Sequence, residues 1–93
     1  MTGAITAQAI PALRRGIRRH YDVTREQNVL LCPERVILLD DIGNAIVELC
    51  DGQRSIAAIS VALAERYAAD PMQVEADVTS FVQELADKGV VTA

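Results

Sequence analysis

Arg35-Val36-Ile37-Leu38-Leu39-Asp40 is the stretch that decides the fold. Four apolar residues run without interruption between two charges, after a Pro33-Glu34 turn and ahead of a helix start. A strand of a small sheet with one wet face alternates apolar and polar residues. This strand does not alternate, so both of its faces want cover. A chain of 93 residues is short of the mass to cover both. The expectation is that something else lies against this strand, and that the function follows from what it is.

Working outward toward the N-terminus, Val29-Leu30-Leu31-Cys32 is a second apolar run, ended by Pro33. Thr24 to Asn28 is a polar turn, and before it Ile17, Tyr21 and Val23 alternate with Arg18, His20 and Asp22. Both connections are short, which favours a three-stranded antiparallel meander. Residues 1–11 are small and weakly patterned, and read as a flexible N-terminal tail or linker closed by Pro11.

Toward the C-terminus the period changes from two to 3.6. Asp40 or Asp41 can cap a helix whose apolar positions are Ile42, Ala45, Ile46, Leu49 and Cys50, with Gly52 as the stop. Ser55 caps a second helix with Ile56, Ile59, Leu63 and Tyr67 on one face. Asp70-Pro71 opens a third, with Gln73 where a capping-box partner stands. Its apolar stripe is Val74, Val78, Phe81, Val82 and Leu85, and Lys88-Gly89 ends it. The predicted fold is α+β and winged-helix-like, a three-stranded antiparallel meander followed by three α-helices, with residues 12–93 forming one domain.

A chain of this size buries about 65% of its unfolded surface, enough for one modest core. Only Tyr21, Tyr67 and Phe81 are aromatic, so that core is aliphatic. No apolar run approaches the roughly 18 residues of a membrane span. Met1-Thr2-Gly3-Ala4-Ile5 has no basic region ahead of its apolar residues. No membrane association and a cytoplasmic location are therefore expected.

The net charge of −4 is unevenly placed: residues 1–50 carry six arginines and six acids, residues 51–93 three bases and seven acids. Arg14, Arg15, Arg18 and Arg19 fall within six positions. They suit a guarded strand edge, an acidic-peptide steering patch or a nucleic-acid stripe. The outline of three short helices and a small sheet also fits a winged helix-turn-helix. DNA binding needs positive charge near the recognition helix, however, and the third helix carries Glu75, Asp77, Glu84 and Asp87 against Lys88. No nucleic-acid partner is expected, and a DNA-binding or small dimerisation domain stays the alternative reading.

Catalysis needs convergent titratable groups. Asp40-Asp41 is explained by capping, and Cys32 and Cys50 lack the close partners of a zinc or redox motif. No catalytic residue, metal or other cofactor is expected, and the chain does not read as an enzyme.

Edge-strand logic points instead to a binding module. In a meander the first and third strands are edges, and the first is loaded with arginine while the third has no charge between Arg35 and Asp40. Such an open edge beside an amphipathic helix is a site for strand addition by an extended peptide. Arg35, Val36, Ile37, Leu38 and Leu39 are the candidate peptide-binding residues of the strand. Val78, Phe81, Val82 and Leu85 are those of the third helix, although some of these must face the core. The competing arrangement is that the helix covers the strand and leaves nothing exposed. An open edge can also pair with its own copy, so a monomer and a weak dimer are both compatible with the residues.

The segments Leu31-Cys32-Pro33-Glu34-Arg35-Val36, Leu39-Asp40 and Ala45 through Ile56, with its Asp51-Gly52-Gln53-Arg54-Ser55-Ile56, resemble the PqqD family of pyrroloquinoline quinone (PQQ) biosynthesis. The likeness runs from about Pro11 to Val91 and includes Arg14-Arg15-Gly16-Ile17 and Leu85-Ala86-Asp87-Lys88-Gly89-Val90. Asp40 stands where the family often has Asn, and Ala58 where it often has Glu. The resemblance implies a peptide chaperone that binds the ribosomal precursor peptide PqqA as an added strand between the third strand and third helix. It also implies delivery to the radical S-adenosylmethionine (SAM) enzyme PqqE, which cross-links Glu and Tyr side chains.

Overall fold

The computed structural model describes residues 3–93, and positions 1 and 2 of the expected tail lie outside them. In chain order the elements are β1 (Ala12–Leu13), β2 (Arg18–Asp22), β3 (Gln27–Leu31), β4 (Val36–Leu39), α1 (Asp41–Leu49), α2 (Ile56–Tyr67), α3 (Pro71–Asp87) and β5 (Val91–Thr92). The expected meander is present as an antiparallel sheet of order β2-β3-β4, followed by the three helices. A second, two-stranded sheet that the sequence did not announce pairs β1 with β5. Strands of two residues carry no periodic signal in the sequence.

The helix starts follow the sequence. Asp40, Ser55 and Asp70 are the N-caps, their side chains accepting from the backbone N–H of Gly43, Ala58 and Met72. Gln73 does not complete a capping box: its amide donates to Asp77 Oδ1 at 3.0 Å instead of reaching back to Asp70. At the end of α3, Gly89 takes φ +75°. The Gly89 N–H donates to Ala86 O and the Val90 N–H to Leu85 O. This is a Schellman closure, and Val90 and Leu85 meet in the core as such closures favour. Helix α2 closes in the same way through Ala68, whose φ of 51° lies in the left-handed region although it carries a Cβ.

The core is aliphatic, as expected, and joins Leu30 and Leu39 of the sheet to Ile46, Ile56, Ile59, Leu63, Val78, Val82, Leu85 and Val90. Arg19, Leu30 and Ile37 share one face of the sheet through the register Arg19↔Leu30↔Ile37. That face turns to the helices: Leu30 is in the core, Ile37 packs against it, and Arg19 Nη1 donates to Asn44 Oδ1 of α1 at 3.3 Å.

The segment expected to be a flexible tail is docked from Ile5 onward. Ala9 O accepts from Ile56 N–H and Ala7 O from Ala57 N–H, both at 2.9 Å. Pro11 O accepts from Gly52 N–H at 3.0 Å. Ile5 and Ala9 pack on the core and Pro11 is fully buried. The physical reason is the start of α2. Its first N–H groups have no partner inside the helix. Ser55 satisfies one, and the backbone of residues 7–9 satisfies two more. Small side chains, which looked featureless in the sequence, let that backbone come close.

Candidate functional site

The candidate site is the free edge of β4 and the helix beside it. Cys32 N–H donates to Arg35 O at 3.0 Å, closing the hairpin around Pro33-Glu34. Antiparallel partners alternate between hydrogen-bonded and non-bonded pairs. With the register Leu31↔Val36, Leu30↔Ile37, Val29↔Leu38 and Asn28↔Leu39, the bonded pairs are those of Ile37 and Leu39. The N–H and C=O groups of Val36 and Leu38 therefore point away from β3 toward the open edge. The same two residues are 45% and 54% exposed, respectively. Ile37 is half-buried on the core side and Leu39 is fully in the core. On the outward face, Val36 and Leu38 lie beside Leu31 and Val29, with Arg18 and His20 of β2 beyond them.

Helix α3 is tied to both ends of this strand. At one end Arg35 Nη2 donates to the carbonyl of Lys88 at 2.7 Å. At the other, Phe81 lies over Gly43 in the first turn of α1, close enough that a Cβ there would meet Phe81 Cζ at 3.1 Å and Asp40 Oδ1 at 2.9 Å. Asp40 Oδ1 itself accepts from Gly43 N–H at 2.6 Å. Helix α3 thus touches the chain just before β4 and just after it.

Of the helix residues proposed from the sequence, Phe81 alone is on that side and partly accessible. Val78, Val82 and Leu85 are buried in the core, and so is Leu39 of the strand. They are corrected from cleft to core. The reason is economy of size: the domain has one core, and α3 gives Val78, Val82 and Leu85 to it, with Val74 and Phe81 partly buried against it. On the neighbouring surface of α3, Phe81 stands beside Asp77, Glu84 and Lys88 at i−4, i+3 and i+7. Lys88 Nζ sits 3.5 Å from Glu84 Oε1 there. Sequence reasoning passed over these polar positions because it looked for an apolar helix face. The signal was Phe81, the stripe member that widens the apolar face beyond 74/78/82/85.

The arginines lie on and next to the opposite edge strand β2, and Arg14, Arg15, Arg18 and Arg19 are all exposed. Cys50 is buried, and burial pushes its thiol up to about 12, so it is a neutral core residue at ordinary pH. Asp51 holds the α1–α2 turn by accepting from the N–H groups of Gln53 and Arg54, which, with the Arg54 guanidinium, keep its carboxyl below the usual carboxylate range.

The family Coenzyme PQQ synthesis protein D (PqqD) matches residues 27–91. The chain belongs to the PqqD family. A relative from Rhodopseudomonas palustris (strain HaA2), named PqqA binding protein, is 46% identical over 89 residues, covering 96% of this chain and 87% of that one. A relative of the same name from Xanthomonas oryzae pv. oryzae (strain KACC10331 / KXO85) is 45% identical over 85 residues, covering 91% and 92%. Among solved structures, the PqqD truncation of Methylobacterium extorquens PqqCD superposes with a TM-score of 0.85 at 38% identity, covering 97% of this chain and 96% of that one. It is described as a functional, stand-alone recognition element for ribosomally synthesised and post-translationally modified peptides. Lasso peptide synthetase B1, solved with its leader peptide, shares the fold at 23% identity with a TM-score of 0.77, covering 91% and 100%.

Proposed function

We propose that this member of the PqqD family binds the precursor peptide PqqA as a strand added to the edge of β4. The observation that carries the reading is that edge itself: two residues with outward backbone groups and exposed apolar side chains, alongside a helix tied to both strand ends. The relatives named PqqA binding protein supply the identity of the peptide. Side chains of the added strand alternate, so those on one face meet Val36 and Leu38 and those on the other meet Phe81 and the polar side of α3.

The finer parts of the proposal go further. The protein does no chemistry of its own; it works in the cytoplasm and presents the bound peptide to the radical SAM enzyme PqqE. Main-chain pairing contributes about 0.5–1.5 kcal/mol net per hydrogen bond. The ordering of a flexible peptide costs about 2–5 kcal/mol or more. Apolar contacts on Val36, Leu38 and Phe81 must make up the difference, which suits an affinity near micromolar.

The test is titration of isotopically labelled protein with synthetic PqqA, followed by addition of PqqE. Amide shifts confined to β4 and the 77–88 face of α3, with a ternary complex after PqqE, are expected. No shift with PqqA at any accessible concentration rejects peptide binding. Shifts with PqqA but unchanged cross-linking by PqqE without this protein reject delivery alone.

A further inference from the structure

Past the end of β4 a separate opening lies against α3. Beyond the Phe81–Gly43 contact, the ends of the three helices diverge around a pocket of about 190 Å³. Ile46, Leu63 and Val78, all core residues, form its floor. Ile42 and Tyr67 line it and are 48% and 44% exposed, although both sit on apolar stripes that the sequence assigns to the core. Asp77 is its one charged lining residue, and that carboxylate already accepts from the Gln73 side chain.

Resting on the reading of β4 as the peptide edge, we propose that this pocket is a subsite for one large apolar side chain, aliphatic or aromatic, of the same peptide. The position supports it: Ile42 follows the last residue of β4 by three places, and Asp77 is one turn from Phe81 on the same side of α3. A strand paired with β4 and prolonged in line leads to this opening. The capacity also fits, since an apolar cavity of about 150 Å³ accepts a benzene ring. The lining favours an apolar occupant, because Asp77 is exposed at the rim and the remaining walls are hydrocarbon and one phenol. A peptide held both by backbone pairing along β4 and by one buried anchor is fixed in register, which pairing alone leaves weakly specified.

The experiment is a double-mutant cycle with synthetic PqqA and its single-alanine variants. Ala69 is exposed at the rim, so Ala69→Trp fills the pocket from outside the core. Against the unaltered protein, one large apolar residue of PqqA, on replacement by Ala, weakens binding about tenfold or more. Against Ala69→Trp the same replacement has no further effect, while Leu38→Ala weakens both proteins alike. If Ala69→Trp does not fold, Ile42→Glu, altering an exposed residue, gives the same readout. Full binding of PqqA to the filled protein with an unchanged alanine profile overturns the subsite and leaves the β4 edge standing. Absence of PqqA binding by the unaltered protein overturns both.

Discussion

Replacing Val36 and Leu38 together by alanine separates binding from folding, because the structure leaves about half of each side chain uncovered. Full burial of a side chain of this type is worth about 1.5–3 kcal/mol. Half of that remains to be gained when a peptide covers it, or about 1 kcal/mol for each residue. The double variant then loses about 2 kcal/mol, close to thirtyfold in Kd. The fold loses little, since neither side chain belongs to the core and exposed positions change stability by about 0.5 kcal/mol. Ile37, packed against the core, behaves oppositely. Ile37→Asp places a carboxylate among apolar atoms, a penalty of several kcal/mol, against a total stability of roughly 5–14 kcal/mol for a domain of this length. Anisotropy of labelled PqqA and circular dichroism of the protein read the two quantities separately. Binding within twofold of the unaltered protein for a folded Val36→Ala/Leu38→Ala variant would refute the assignment of the outward side chains.

Three further outcomes are expected. Ala68→Gly relieves a left-handed Cβ and raises stability by about 0.5–1 kcal/mol, a Tm rise of about 2–8 °C; no rise shows that Ala68 is unstrained. Gly43→Ala drives a methyl into the tips of the Phe81 and Asp40 side chains; alanine returns about 1 kcal/mol of helix propensity against an overpacking cost of about 1–3 kcal/mol, so stability falls by no more than about 2 kcal/mol while peptide binding weakens, because Phe81 must move; equilibrium denaturation and the same anisotropy assay check both. The raised pKa of Cys50 makes the native state hold a proton that the unfolded chain releases above the ordinary thiol value of 9.0. Stability therefore falls as pH rises from 9 toward about 12, by up to about 1.4 kcal/mol per pH unit, and Cys50→Ala flattens that slope between pH 9 and 10; parallel slopes would show that the thiol ionises freely.

Much of the architecture was legible in particular residues. The Asp40-Asp41 pair, Ser55 and Asp70 announced the helix starts through capping chemistry, with Asp40 the cap of the first, and the unalternating Val36–Leu39 announced an edge with more apolar surface than the core uses. Its two faces divide as period two requires, Ile37 and Leu39 inward, Val36 and Leu38 outward. The helix side of the site was less legible. Val78, Val82 and Leu85 look like a binding stripe in sequence, and only the packing of α3 on α2 shows that the core takes them. Ile42 and Tyr67 err in the other direction, lying on core stripes yet opening to solvent where the helix ends diverge. The docking of residues 5–11 could not be read at all, because it depends on backbone carbonyls meeting the first turn of α2, and no side-chain pattern records that.

Amide hydrogen exchange with and without PqqA tests strand addition at β4 most directly, because it reads single backbone groups. In the free protein the Val36 and Leu38 amides face the open edge and exchange fast, while Ile37 is protected by its pairing with Leu30. With PqqA bound, Val36 and Leu38 become protected and Ile37 stays as it was, a period-two change confined to β4. Protection that appears instead along Arg18–Asp22 of the opposite edge, or binding that leaves Val36 and Leu38 exchanging fast, would contradict it.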